Sequence, residues 1–142
     1  MGFLLASSEP FKMSSKPIDL WSPDGRFGVH VPAQVVTALT ANIRAAGRAE
    51  TGGILVGRYT EDYRCAEVTA ISRPTDDSSA GGNWLARGVS GLQQWLGRLW
   101  NRHAEYYLGE WHYHPGPSPT PSRVDTNTMF GIARSPGYQC PE

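Results

Sequence analysis

Residues 105–125 read EYYLGEWHYHPGPSPTPSRVD, and this stretch decides how the chain folds around its chemistry. Its first ten residues are rich in Tyr and Trp, which favours a β-strand. Prolines then stand at every second position from 115 to 121. They stop the strand, because proline donates no hydrogen bond to a neighbouring strand. From Ser122 the sequence can become helical, so a strand, a stiff loop and a helix are predicted in succession.

Two histidines end the predicted strand, and an aspartate opens the predicted helix. Because side chains alternate between the faces of a strand, His112 and His114 point to the same face. Asp125 lies in the first turn of the helix, from which it can face back toward them. Two imidazole nitrogens and one carboxylate oxygen make three ligands, which is the arrangement of a catalytic zinc that keeps a water in its fourth position. The spacing therefore suggests a metal site at His112, His114 and Asp125.

Each part of this pattern also has a simpler explanation. A His-x-His pair alone is a weak signal for a metal. Ser122 and Asp125 have the spacing of a capping box at a helix start. The run PGPSPTP could be a polyproline ligand for a partner domain. None of these explanations excludes the metal site, because an aspartate in a first turn can also bind a metal.

The rest of the chain alternates strands and helices. The predicted elements are strands at 26–31, 51–60 and 65–74 and helices at 33–46 and 89–103, with a Gly/Ser/Asp-rich loop at 75–88 between the last strand and the last helix. These patterns come from the apolar periodicity and from the flanking Pro and Gly residues. They indicate an α/β or α+β fold with a mixed sheet.

Length and composition are those of one globular domain. The chain has 142 residues with 13 basic and 13 acidic side chains, so its balanced charge gives no reason to expect nucleic acid or a membrane as a partner. The apolar run FLLA near the N-terminus is too short for a signal-peptide core. We therefore expect a cytoplasmic protein with reduced thiols at Cys65 and Cys140. Residues 1–17 are expected to be a flexible lead-in, and residues 18–142 a single domain.

The combined spacing resembles a known family. His-x-His, seven residues and Ser-x-x-Asp match the JAMM motif of the JAB/MPN metalloproteases, and ETGGILVG at 50–57 matches the upstream glutamate that the motif also requires. Both stretches look most like the prokaryotic JAB branch. Within that branch they are similar to the deconjugating peptidases of CBASS anti-phage operons, which lie beside E1- and E2-like proteins. The resemblance covers residues 26–134 and implies the cytidine-deaminase-like JAB/MPN fold, a mixed sheet flanked by helices.

The resemblance also implies roles for single residues. His112, His114 and Asp125 would ligate one zinc ion per chain, and Glu50 would be the general base that takes a proton from water. Ser122 would donate a hydrogen bond to the oxyanion. The implied reaction is hydrolysis after the C-terminal glycine of a ubiquitin-like protein or its conjugate. Partners would be that protein, its conjugated target and E1- or E2-like proteins from the same operon.

Three further residues are candidates for supporting roles. Glu110 shares a strand face with the two histidines, so it is a rival base or a residue that orients a ligand histidine by a hydrogen bond. Trp84 and Leu85 lie where the family carries its first insertion, so they could line the substrate groove. Their simpler role is to anchor the loop.

Two alternatives concern the chain as a whole. A non-catalytic MPN scaffold, or a module that only binds a ubiquitin-like protein, is the main alternative function, but such scaffolds usually lose metal ligands. Zinc deaminases require an H-x-E motif together with P-C-x-x-C, and this sequence lacks P-C-x-x-C because its two cysteines lie far apart. Family members usually continue beyond the aspartate-bearing helix with a strand and a helix. We therefore expect either a short member or a truncated domain.

Overall fold

A mixed six-stranded sheet forms the centre of the fold. The computed structural model describes residues 3–7, 16–82, 85–116, 118 and 120–136. The strands are β1 (Phe3–Ser7), β2 (Ile18–Trp21), β3 (Gly28–Val31), β4 (Thr51–Tyr59), β5 (Cys65–Ile71), β6 (Ser79–Ala80), β7 (Leu85–Ala86) and β8 (Tyr106–Tyr113). Six of them form the sheet in the order β1-β8-β4-β5-β3-β2, and β6 and β7 form a separate hairpin. Both parallel pairs, β1 with β8 and β3 with β5, lie among antiparallel ones, so the predicted mixed sheet is confirmed.

In the part of the chain that the structure describes, three helices accompany the sheet, namely α1 (Ala33–Ala46), α2 (Leu92–His103) and α3 (Arg123–Arg134). Helix α1 has the bounds that the sequence predicts. It begins after Pro32, whose missing N–H is not needed there, and it ends at Gly47, which takes a positive φ of 63°. Its buried side chains join the main core, where Val36 is completely enclosed. No described helix combines the length and apolar content needed to cross a bilayer.

Two strands precede the first one that the sequence predicts. Strand β1 lies inside the segment 1–17, which was expected to be a flexible lead-in, and it pairs in parallel with β8. Strand β2 pairs with β3 at the opposite edge of the sheet. The run FLLA, which is too short for a signal-peptide core, forms most of strand β1. The hydrogen bonds that make it a strand come from β8, which lies far along the chain and leaves no local pattern in β1.

Gly53 lets strand β4 approach its neighbours closely. A Cβ atom at Gly53 would lie 2.6 Å from both the backbone oxygen and the hydroxyl of Ser72, and 2.8 Å from the indole nitrogen of Trp111. The same Ser72 hydroxyl accepts a hydrogen bond from the Ile54 amide, so it cannot move away freely. Residue 53 therefore has to be glycine for these backbones to meet.

The loop that carries the β6–β7 hairpin is held at both ends by side-chain hydrogen bonds. The Asp77 carboxylate accepts from the backbone amides of Val89 and Ser90, just before α2. The Ser78 hydroxyl accepts from the amides of Thr75 and Gly88. These bonds close the segment from 75 to 90 into a compact unit beside β8.

We predict that Gly53→Ala destabilises the protein by about 1–3 kcal/mol, because the added methyl group forces apart packed backbone. Urea denaturation measures the loss. Gly97→Ala is the matched control. Position 97 lies in α2 with nothing within 4 Å of the new methyl group. That change should stabilise by about 0.5–1 kcal/mol, because alanine favours a helix interior. Equal stabilities for the two variants would contradict this account of Gly53.

A second prediction concerns acid. Hydrogen bonds from the Thr75 side chain and from the amides of Val89 and Ser90 lower the pKa of Asp77 from 3.8 to about 2. A carboxyl with a lowered pKa contributes stability above its unfolded-state pKa and loses it as the pH falls through the folded-state value. Asp77→Asn should therefore weaken the dependence of unfolding free energy on pH between about pH 4 and about pH 2. Denaturation curves across that window test this, and identical slopes for both proteins would refute it.

Candidate metal centre and active site

Four ionisable side chains from three parts of the chain meet at one end of β8. His112 and His114 come from the end of that strand, and their rings lie 4.6 Å apart in an edge-to-face arrangement. Glu50 comes from the residue before β4, and Asp125 from the first turn of α3. All four side chains are at most 14% exposed. The structure thus brings together the four residues that the sequence assigns to metal binding and base catalysis.

His112 lies at the centre of the cluster and contacts both carboxylates. Its Nε2 is 3.0 Å from Glu50 Oε2, and its Nδ1 is 3.2 Å from Asp125 Oδ1. His114 Nε2 is 3.4 Å from the other Asp125 oxygen. Donor atoms that share a tetrahedral zinc at bond lengths near 2.0–2.1 Å lie about 3.3 Å apart. The two separations from Asp125 are of this size, with a different carboxylate oxygen facing each histidine.

Glu50 adds a second possible set of ligands. Glu50, His112 and His114 each offer a ligand atom, and these atoms lie within 4.8 Å of one another. Buried carboxylates are usually paired or bound to a metal, because burial disfavours an isolated charge. Among the described residues, the group whose ligand atoms all lie within this distance contains Glu50 and not Asp125, whereas the resemblance predicts Asp125 as ligand and Glu50 as base. The chemistry of the donors, imidazole and carboxylate, suits zinc in either case.

The local sequence explains how each side chain reaches the cluster. The register of β4 on β8 pairs Gly52 with His112 and Thr51 with Tyr113, so Glu50 arrives at the end of β8 that carries the histidines. Tyr113, between the histidines, packs in the main hydrophobic core. That burial anchors the strand end, while the flanking imidazoles remain free for the cluster.

Ser122 and Asp125 form a complete capping box. The Ser122 hydroxyl oxygen accepts from the Asp125 amide at 3.1 Å, and Asp125 Oδ2 accepts from the Ser122 amide at 2.7 Å. The capping box that the spacing predicts is therefore present, and the same Asp125 also approaches the two histidines. Because the hydroxyl accepts in this contact, its own hydrogen stays available for donation.

The pKa of Asp125 reflects two opposing effects. Burial raises the pKa of this carboxyl, but the hydrogen bonds from Ser122 and the charges of His112 and His114 lower it, and the net result is a value below 3.8. Asp125 is therefore ionised at neutral pH, which is the state that a metal ligand requires.

Glu110 takes a different partner from the one that the sequence suggested. Its Oε1 accepts a hydrogen bond of 2.6 Å from the guanidinium of Arg87, in a largely buried ion pair. Sequence reasoning had not singled out Arg87, because an arginine in a Gly/Ser/Asp-rich loop resembles an ordinary solvated residue. The one sequence signal for the burial of Arg87 is Glu110, an acidic residue on the same strand face as the histidines that needs a partner.

A cavity of about 300 Å³ opens beside the cluster. Its lining includes His112 and Asp125 of the cluster as well as Arg87 and Glu110. Leu85, a predicted groove residue, contributes to its wall, whereas Trp84 lies outside the described residues. The volume is at the lower end of the range for ligand pockets, so the cavity can hold a small part of a substrate.

Comparison with known proteins agrees with this geometry. Residues 32–139 match the family described as prokaryotic homologs of the JAB domain. A protein of Enterobacter hormaechei subsp. hoffmannii (strain UCI 50), named CD-NTase/cGAS isopeptidase, is 37% identical over 139 residues, which are 98% of this chain and 77% of that protein. A protein of the same name from Escherichia coli (strain TW11681) is 35% identical over 86 residues, which are 58% of this chain and 54% of that protein.

The family match includes all four clustered residues, together with strands β4 and β8 and helix α3. The relative from Enterobacter extends the similarity to almost the whole chain. On both grounds, this chain belongs to the prokaryotic JAB domain family.

Proposed function

We propose that this protein is a zinc-dependent isopeptidase that hydrolyses the bond after the C-terminal glycine of a ubiquitin-like protein or of its conjugate. The observation that carries the proposal is the convergence of Glu50, His112, His114 and Asp125 in one largely buried cluster beside a cavity. The family and the isopeptidase name of both relatives support the reaction class.

The ligand assignment follows from which contacts each carboxylate makes. Asp125 directs one oxygen to each histidine, so His112, His114 and Asp125 would hold one zinc ion. When bound, zinc supplies Lewis acidity that makes water a nucleophile near neutral pH. Glu50, whose carboxylate lies 3.0 Å from Nε2 of His112, would then be left to accept and donate protons.

The chain's own residues would carry out two further tasks. The Glu50 carboxylate accepts a proton from the attacking water and returns it to the leaving nitrogen, which is general acid–base catalysis. The Ser122 hydroxyl, already fixed by the capping box, donates its hydrogen to the oxygen that becomes negative as water adds to the carbonyl. Ser122 is hydrogen-bonded to Asp125, whose carboxylate contacts both histidines, and Glu50 contacts His112.

The names of the relatives also suggest a substrate class. They give CD-NTase/cGAS isopeptidase as the activity of those proteins. We propose by this likeness that the present protein acts on conjugates of a CD-NTase-like enzyme in a cytoplasmic anti-phage system. E1- and E2-like proteins from the same operon would then make the conjugates that it removes.

Replacing Glu50 by Gln tests the base. We expect bound zinc to stay near one ion per chain, and cleavage of a fusion joined after Gly-Gly to fall at least about a hundredfold, because the amide cannot take a proton. Elemental analysis counts the zinc and gel electrophoresis follows the cleavage. Glu67→Gln is the matched control, because residue 67 is an exposed glutamate on β5.

The other outcomes assign the cluster differently. Loss of zinc in Glu50→Gln would make Glu50 a ligand, as its distance to the histidines also allows. Zinc retained with full cleavage would move the base role to Glu110. Wild-type protein without zinc or cleavage would contradict the proposal and favour a scaffold or a binding module.

Replacing Ser122 by Gly tests the oxyanion donor apart from the helix cap. Glycine at an N-cap costs only a few tenths of a kcal/mol, whereas alanine costs about 1 kcal/mol. The variants Ser122→Gly and Ser122→Ala both lack the hydroxyl, so each should lose about a hundredfold or more in cleavage rate. Thermal unfolding should show that Ser122→Ala is less stable than Ser122→Gly. Ser122→Gly with wild-type cleavage would leave Ser122 with the capping role alone.

A further inference from the structure

Four aromatic side chains form a continuous row at the end of the sheet that lies away from the metal cluster. The ring centroids are 6.2 Å apart for Tyr63 and Tyr59, 6.0 Å for Tyr59 and Tyr106, and 6.3 Å for Tyr106 and Trp100. Tyr106 is the first residue of β8 and His112 lies near its other end, so about 20 Å of strand separates the row from the cluster. This aromatic row (Trp100, Tyr106, Tyr59 and Tyr63) has no part in the proposed reaction.

The middle of the aromatic row is fixed, and its two ends face solvent. The Tyr106 hydroxyl accepts a hydrogen bond of 3.0 Å from the Tyr59 amide, and both side chains pack against the hydrophobic core. Tyr63 and Trp100 are each 58% exposed. Aromatic side chains supply a large contact area at a low cost in conformational entropy, which is why binding surfaces are enriched in them.

Tyr63 has a backbone conformation that tyrosine rarely adopts. Its φ is 56°, in the left-handed region that favours glycine or asparagine. The turn is held by Thr60, whose carbonyl accepts from the Tyr63 amide and whose hydroxyl accepts from the Cys65 amide. Because more than half of the Tyr63 side chain stays exposed, burial does not offset this strain. Strained residues that persist without burial are typical of binding sites.

The Tyr63 end of the aromatic row is acidic. Glu61 and Asp62 lie in the same turn, and both are exposed. One Asp62 oxygen accepts from the Thr60 hydroxyl, whereas Glu61 has no ion-pair partner among the residues that the structure describes. An unpaired carboxylate and an exposed ring thus share one turn.

The neighbouring arginine does not fill this place. The Arg64 guanidinium donates to the carbonyls of Gly25 and Arg26, in the turn between β2 and β3. Within the described ranges, no arginine lies over the Tyr63 ring. Two acids and one base leave the turn from 60 to 64 with a net charge of −1.

Aromatic faces beside a carboxylate fit the side chain of arginine. The planar guanidinium stacks on Tyr and Trp rings, and its N–H groups bond to a carboxylate at the same time. Single-stranded nucleic acid also stacks on aromatic rings, but it needs a positively charged groove, and this end of the row is negative. The charge therefore favours a cationic peptide segment.

We propose that the aromatic row is a docking site for an arginine-bearing segment of a partner protein. The guanidinium stacks on Tyr63 and bonds to Glu61, and the adjoining residues of the segment lie along the row toward Trp100. The site is distant from the metal cluster, so a docked partner leaves the cluster accessible.

Peptide titration into ¹⁵N-labelled full-length protein, followed by ¹H–¹⁵N NMR, tests the proposal. The probe is acetyl-Gly-Gly-Arg-Gly-Leu-Gly-amide. Matched peptides carry citrulline, which has the same shape without the charge, or lysine in place of arginine. We expect amide shifts at residues 60–64 and 100–106, with Kd at least about fivefold lower for arginine than for citrulline and about threefold lower than for lysine.

Tyr63→Asn separates binding from folding. Asparagine adopts a positive φ more easily than tyrosine, so the Tm should not fall, whereas the arginine peptide should bind about fivefold more weakly. Glu61→Gln should weaken that peptide about threefold and leave the citrulline peptide unchanged. Glu67→Gln, which removes an exposed carboxylate from β5, is the matched control and should change nothing.

Four results would overturn the inference. They are equal affinity for the arginine and citrulline peptides, shifts confined to residues outside the aromatic row, no shifts at millimolar peptide, and a lower Tm that accompanies the loss of binding in Tyr63→Asn. Shifts of the same amides on dilution of the protein alone would also overturn it, because they would assign the surface to a second copy of this chain.

Discussion

The approach of Glu50 and Asp125 to His112 is the interaction on which the site depends. Two carboxylates and two imidazoles lie in a space with little water, and each group would be costly to bury alone. Hydrogen bonds and opposite charges compensate that cost, and a bound cation would compensate it further. The segments before β4, at the end of β8 and at the start of α3 must therefore stay together for any of these groups to remain inside.

The sheet supplies the precision that this cluster requires. Strand β8 lies between β1 and β4, so both of its edges are hydrogen-bonded and its end cannot shift. Gly52 and Gly53 keep β4 close enough that a larger residue would meet neighbouring backbone atoms. Trp111 and Tyr113 are buried in the core on either side of His112. Rigid elements thus hold the histidines, whereas the hairpin segment with Leu85 and Arg87 is attached by a few side-chain hydrogen bonds.

Local patterns made much of this predictable. Helix α1 could be bounded because its apolar spacing is flanked by Pro32 and Gly47, and the cluster residues could be named because their spacing matches a motif. Features that depend on residues distant in the sequence could not be predicted from local patterns. Strand β1 exists through hydrogen bonds to β8, and Arg87 is buried because Glu110 receives it. Two-residue strands such as β6 and β7 are too short to show any periodicity.

The capping box ties the start of α3 to the cluster through the same two residues. One residue added between Ser122 and Asp125 would turn the carboxylate by about 100° around the helix axis and would also separate the two partners of the cap. An extra residue before Ser122 would instead leave the turn from Ser122 to Asp125 unchanged. The start of α3 therefore sets the direction in which the Asp125 carboxylate approaches the histidines.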